Sequence, residues 1–287
     1  MHRSLAVVAL AVTGLFASAA SGQTTRTVCA SGCQYTSINA AIDDANNGDV
    51  IQLSAETYFE GEQIDTDGKA ITLRGVLDKA GEPASVLDGS GTHRVLICQS
   101  GETSKTVFQN LVIQNGWSGS GGGGMFNTGS SPTLTDCTFT GNSAAEIGGG
   151  MFNTGSSPTL TNCSFEINSA DYVGGGGMAN QASSSPTLSD CTFTNNSADY
   201  NGGGMFNITN SSPTLNDCTF AGNSATNGYG GGMYNHRGTP PLTGCTFTSN
   251  SAERSGGGMF NLESSPPLTG CTFTSNSAER FGGGMFN

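Results

Sequence analysis

Seven methionines, Met125, Met151, Met178, Met205, Met233, Met259 and Met285, follow one another at steps of 26 to 28 residues. Each unit reads approximately G-G-G-M-F-N, then S-S-P-T-L-T-D-C-T-F-T-x-N-S-A, then a variable stretch before the next glycines. A fixed period in this range belongs to stacked supersecondary units, none of which buries its apolar face alone. Forty-four glycines and few charges would suit a disordered tract, but disorder needs no phase between Met, Cys, Phe and Asn. The period therefore points to a solenoid with one core running along its axis.

Comparing the repeats with each other shows which positions tolerate change. Met and the Asn two residues later never vary (Asn127, Asn153, Asn180, Asn207, Asn235, Asn261, Asn287), while the residue between them does. That residue is Phe126, Phe152, Ala179, Phe206, Tyr234, Phe260 or Phe286. Strands alternate their faces with period two, so Met and Asn are expected inside and the ring outside. Cys and Phe also sit two apart, from Cys137 and Phe139 to Cys271 and Phe273. A Leu lies three before each Cys (Leu134 to Leu268), and an Asn three after each Phe (Asn142, Asn168, Asn196, Asn223, Asn250, Asn276). Offsets of three break a flat alternation and place a corner on each side of the Cys-x-Phe strand. The expectation is an all-β, right-handed parallel β-helix with three short strands and three corners per unit. Its coils would stack about 4.8 Å apart, giving files of Met, Cys and Phe, and an amide ladder along Asn142 and its equivalents.

Before the repeats, Ser37 is placed to cap a short helix whose Ile38, Ala41, Ile42 and Ala45 form an apolar stripe. This helix would plug the end of the core, followed by strands at Val50–Leu53, Ile71–Leu73, Val86–Leu87, Val95–Cys98 and Val107–Ile113. Residues 1–22 read as a secretory signal: Arg3, an apolar run from Leu5 to Phe16, and small residues before Gly22. Residues 23–116 are then the cap and first irregular coils, and 117–287 the regular coils. The sequence stops at Asn287 just after the glycines of a seventh unit, with no atypical last repeat, so the full chain is expected to be longer. No segment after the signal reaches the length of a membrane-spanning helix. Of the ten basic residues only Arg3 leaves with the signal, so nine stand against 22 acidic ones, one charge beyond the net −12 of the whole chain. Nucleic acid and anionic membrane surfaces want clustered Lys and Arg, so the charge balance disfavours both, and no nucleic-acid partner is expected.

The pairing of G-G-G-M with F-x-x-N, as in Phe139-Thr140-Gly141-Asn142 and Phe220-Ala221-Gly222-Asn223, resembles the repeat of the chlamydial polymorphic outer-membrane proteins. Over residues 34–116 the chain is similar to the opening of pectin-lyase-like β-helix proteins. The first resemblance implies a secreted or surface-exposed bacterial protein with an adhesive role, at the cell outer membrane; the second implies polysaccharide-binding or polysaccharide-degrading relatives.

The residues themselves offer few catalytic groups. His93 and His236 are the histidines left after processing. Asp136, Asp190 and Asp217 share one corner position, but Asn162, Gly244 and Gly270 hold it in other coils, which fits a turn better than a set of acids. No catalytic, cofactor-binding or metal-binding residue is assigned. Cys29 and Cys33 are expected to pair. The six repeat cysteines are expected as buried thiols, with cross-coil disulfides and metal as alternatives, and Cys98 has no assigned role. The outward aromatics Phe126, Phe152, Phe206, Tyr234, Phe260 and Phe286 are the candidate binding residues, since flat rings stack on sugars; alternatively they stack on one another or beneath loops. A T-x-T array (Thr138/Thr140, Thr192/Thr194, Thr246/Thr248, Thr272/Thr274) resembles ice-binding surfaces, but Ser164/Glu166 and Thr219/Ala221 interrupt it. Together these readings favour a non-catalytic, exported, adhesin-like β-helix contacting glycans or cell-surface components. A pectate lyase-like enzyme is the alternative.

Overall fold

The computed structural model describes residues 22–287, so the signal expected over 1–22 lies outside the described residues apart from Gly22. The chain winds into a parallel β-helix in which each strand pairs with its equivalent one coil away. Met125 pairs with Met151, Leu134 with Leu160 and Phe139 with Phe165. Four sheets form the walls of the regular coils. We name them by residue: the Met sheet (Met125–Thr128 and equivalents), the Leu sheet (Thr133–Thr135), the Phe sheet (Thr138–Thr140) and the Ser sheet (Ser143–Ala144). The sequence pattern predicts three strands per unit, and the fourth is the correction. Ser143 and Ala144 pair with Ser169 and Ala170 of the next coil, and so on upward. The Leu sheet has ten strands but the Ser sheet only seven, beginning at Trp117, so the coils below that point have three walls.

Inward positions carry the core. Phe139, Phe165, Phe193, Phe220 and Phe247 are fully buried, with successive ring centroids 4.7–4.8 Å apart and planes within 5°. Each such ring contributes about 1.5–3 kcal/mol through burial. Met125 and Asn127 share the inner face as alternation requires. The polar inward groups satisfy one another along the axis. Asn142 donates from Nδ2 to Asn168 Oδ1 (3.0 Å) and to the Ile113 carbonyl (2.9 Å), while its backbone N–H donates to the same Oδ1. The pattern recurs at Asn168, Asn196, Asn223 and Asn250. A second amide file runs from Asn127 to Asn153, Asn180, Asn207, Asn235 and Asn261 at 2.8–2.9 Å. Buried amides left unpaired would cost about 1–3 kcal/mol each, so the ladders are what permits asparagine in this core.

The corners explain the remaining constant positions. Asp136, Asn162, Asp190, Asp217, Gly244 and Gly270 all have φ between 51° and 65°, the left-handed region that Asp, Asn and Gly tolerate best. In the glycine run, the middle residue passes against the Ser sheet: a Cβ at Gly149 would run into the Ser169 carbonyl oxygen. At the lower end the helix Ile38–Asp43 buries Ile38, Ala41 and Ile42 against the first coil, with Ser37 as its cap. Glu60 receives the Ile38 N–H and the Ser37 hydroxyl at 2.7 Å each. The strand expected over 107–113 is two strands, Val107–Gln109 and Leu111–Gln114, because Asn110 turns at φ 56°.

Candidate functional surface

The outward aromatics of the Met sheet form two stacks separated by Ala179, and neither is open. Phe126 stacks on Phe152 at 5.4 Å, Phe206 on Tyr234 at 5.2 Å, and Tyr234 and Phe286 each on Phe260 at 5.4 Å. The loop that bridges from coil to coil at Ile147, Gly174, Asn201 and Tyr229 folds over them. Ile147, Val173 and Tyr229 then join Phe206, Tyr234 and Phe260 in a second apolar cluster outside the main core. Phe206, Tyr234 and Phe260 are buried, and Phe152 and Phe286 are half-buried. Phe126 is half-buried with its second face taken by the Arg94 guanidinium, 4.9 Å from the ring centroid. Sugar stacking requires a free ring face, and these stacks keep their faces for themselves. The expectation of an open aromatic platform is corrected accordingly.

Arg94 closes the foot of the lower stack. It donates to the carbonyls of Gly122 and Gly121, to Gln63 Oε1 and to Ser118 Oγ, and burial lowers its pKa. Glu102 plays the matching part for a file of buried serines, in which the Ser130 N–H donates to Ser156 Oγ at 3.0 Å and the Ser156 N–H to Ser184 Oγ at 3.1 Å. The Ser130 hydroxyl donates to Glu102 Oε2 at 2.7 Å, and the Thr66 hydroxyl and the Gly68 and Ser100 N–H groups donate to the same carboxylate at 2.9 Å. Burial pushes this carboxyl up, but those donors outweigh it and hold the pKa below the ordinary glutamate value.

Of the other candidate groups, Asp136 and Asp190 border one surface cavity of about 190 Å³ with Glu82, and the histidines lie elsewhere. Asp136 accepts from the Asn162 amide at 2.7 Å, and the pattern on this corner alternates acid, amide, acid, acid and glycine in successive coils. His93 contacts the Arg94 carbonyl through Nδ1 at 2.9 Å, whereas His236 sits on the Met sheet beside Leu262. Thr138 and Thr140 lie beside Ser164 and Glu166, so the threonine array is broken where the sequence breaks it. Cys29 and Cys33 form a disulfide. The repeat cysteines are free thiols, each donating to the carbonyl two residues earlier, as Cys218 does to Asn216 at 3.3 Å. The neighbouring Cys191 thiol and burial push Cys218 up to about 12, against a weaker opposing bond with Cys245. Such thiols are poor nucleophiles and poor metal ligands.

The sequence pattern gives no hint of the Ser sheet's outer face. Its Ala residues point inward and are buried, and its Ser residues point outward and are partly exposed. Trp117 opens the sheet and is 44% exposed. The signal that would have revealed this wall is the N-S-A triplet that closes every repeat, too short to show an alternation.

Residues 87–247, more than half of the chain, match a family model described as a right handed beta helix region. The chain belongs to that right-handed β-helix family. Among solved structures, the crystal structure of pectate lyase Pel9A is similar at 14% identity, over 86% of this chain and 78% of that one, with a TM-score of 0.44. No curated protein matches the sequence. Among the described residues of this β-helix, no helix is long and apolar enough to cross a membrane.

Proposed function

We propose that this β-helix is an exported, non-catalytic protein that presents a long repetitive face to glycans or cell-surface components, in the manner of an adhesin. The observation that carries this reading is the register of the outer walls. Thr133, Thr159, Thr187 and Thr214 lie side by side on the Leu sheet, and Ser143, Ser169, Ser197 and Ser224 on the Ser sheet. A polysaccharide lyase or hydrolase needs acids and a base from several coils converging on one bond. On the Asp136 corner Asn162 separates Asp136 from Asp190, Asp217 follows on the next coil and glycine ends the run, at a left-handed backbone position that accounts for these residue types; the cavity that Asp136 and Asp190 border with Glu82 has no Lys, Arg or His in its lining. The signal-like start and the G-G-G-M and F-x-x-N halves of the repeat support placement at a bacterial surface, beside the polymorphic outer-membrane proteins.

The test is binding of the purified chain to a glycan array and to bacterial and host cell surfaces, with an activity screen in parallel. Saturable binding without release of reducing ends or unsaturated products from pectin, polygalacturonate and neutral polymers is the expected result. Turnover of any of these would replace the reading with a polysaccharide-degrading enzyme.

A further inference from the structure

Of the nine large apolar side chains exposed among the described residues, five (Phe59, Trp117, Ile167, Tyr172 and Tyr200) border the lower half of the Ser sheet, while Leu77, Leu262, Leu268 and Phe281 lie elsewhere. Each of the five is between 43% and 66% exposed. Trp117 stands on the sheet itself, beside Ser143. Ile167 precedes Ser169 at the corner facing the Phe sheet, and Tyr172 and Tyr200 follow the sheet on its opposite side. Phe59 shares a surface cavity of about 440 Å³ with Asp88, Asn115, Gly141 and Ser143. Tyr172 and Tyr200 meet edge to face at 5.7 Å and border a second cavity of about 280 Å³ with Asn201, whose buried Oδ1 has no hydrogen-bond partner. Between the two rims runs a floor of outward serine hydroxyls in register, one per coil.

Ile167 is the sharper sign. It has φ 54°, where the equivalent corners carry Gly141, Asn195, Gly222, Ser249 and Ser275. A β-branched residue is the least suited of side chains to the left-handed region, and retained strain of this kind gathers at sites of use. Here the strained residue is also exposed, so nothing in the packing of the coil rewards it.

We propose that this trough binds a neutral, extended glycan lying along the helix axis. The inference rests on the adhesive reading above and names its ligand and place. Aromatic side chains on both rims offer the faces that pyranose rings stack on, unlike the closed stacks of the Met sheet. The serine floor supplies hydroxyls at every coil, at a repeat comparable with the length of one sugar residue. Asp88, Asp171 and Asp199 border the same stretch, and their charge disfavours an anionic polymer while accepting hydrogen bonds from sugar hydroxyls.

Trp117 is the only tryptophan of the chain, so its fluorescence reports occupancy of this trough alone. The probes are the neutral hexasaccharides of cellulose, laminarin, mannan and xylan, with hexagalacturonate as the anionic control. At least one neutral probe should give a saturable change in Trp117 emission and protect it from iodide quenching. Tyr172→Ala with Tyr200→Ala should weaken that probe by about ten-fold or more, and Ile167→Asn should weaken it while raising the unfolding midpoint. Leu262→Ala, exposed on the Met sheet in an upper coil, should leave binding unchanged. Calorimetric binding of a neutral probe without a Trp117 response would overturn the trough and leave the adhesive reading standing. Preference for hexagalacturonate would overturn the ligand class. Binding to no glycan and no cell surface would bring down both.

Discussion

Below Trp117 the inward positions of the Leu sheet are filled by Ile51, Leu73 and Phe108, whereas above it each of them is leucine. The Phe sheet changes likewise, from Leu87 and Ile113 to an unbroken run of phenylalanine, and the Met sheet from Ile64 and Leu96 to methionine. The two regions face different problems. A uniform file of asparagine or phenylalanine satisfies itself for as long as it continues, because each rung completes its neighbour. It cannot end on another copy of itself. The irregular coils supply the endings: Glu102 for the serine file, Arg94 for the lower aromatic stack, and the Gly116 N–H for the Oδ1 of Asn142. Two files are closed imperfectly: the serine file at its upper end, where Ser211 Oγ is buried without a partner, and one asparagine file at its foot. Cys98 stands where the next asparagine would be, and Asn127 Oδ1 above it is buried without a partner. The variety of the lower coils is thus the chemistry of termination, and the monotony of the upper ones is the chemistry of propagation.

The largest effect should come from interrupting propagation. Phe220→Ala removes a ring sandwiched between Phe193 and Phe247 and should cost about 3–5 kcal/mol in chemical denaturation. An unchanged midpoint would mean the stack carries none of the stability assigned to it. Interrupting termination should cost less. Glu102→Gln is expected to lower stability by about 1–3 kcal/mol at neutral pH. The folded pKa of Glu102 is depressed, so its contribution is complete above the unfolded glutamate value of about 4.3 and is lost as pH falls through the lower folded value. The variant should therefore show a shallower acid limb; equal slopes for the two proteins would remove Glu102 from the account. The smallest effect tests a missing rung. Cys98→Asn gives Asn127 Oδ1 a donor and should raise stability by about 0.5–1.5 kcal/mol, and a fall would show that the site has no room for the amide.

Propagation was legible in the sequence because the repeats align themselves. Met, Leu, Cys, Phe and the two asparagines hold their positions, and their offsets give face and corner directly. The Ser sheet escaped because Ser143–Ala144 is two residues long, and two residues display no period. That the outward rings stack on one another or beneath loops was open in the sequence, but the residues that cover them were not: Ile147, Val173 and Tyr229 are equivalent in place but not in type. Terminators such as Arg94, Glu102 and Cys98 occur once each, so no internal comparison marks them. The rims of the Ser-sheet trough are likewise single events on a repeating scaffold, and they come into view only when exposure is known.

The two asparagine files share one further property. In both, the lower coil donates through Nδ2 and the upper coil accepts through Oδ1. Their amide dipoles therefore add along the axis instead of cancelling, as peptide dipoles do in an α-helix, and neighbouring bonds polarise one another. The solenoid is vectorial: a duplicated unit inserted in the same sense slots into the existing current of donors and acceptors, while one entering with opposite polarity would set donor against donor.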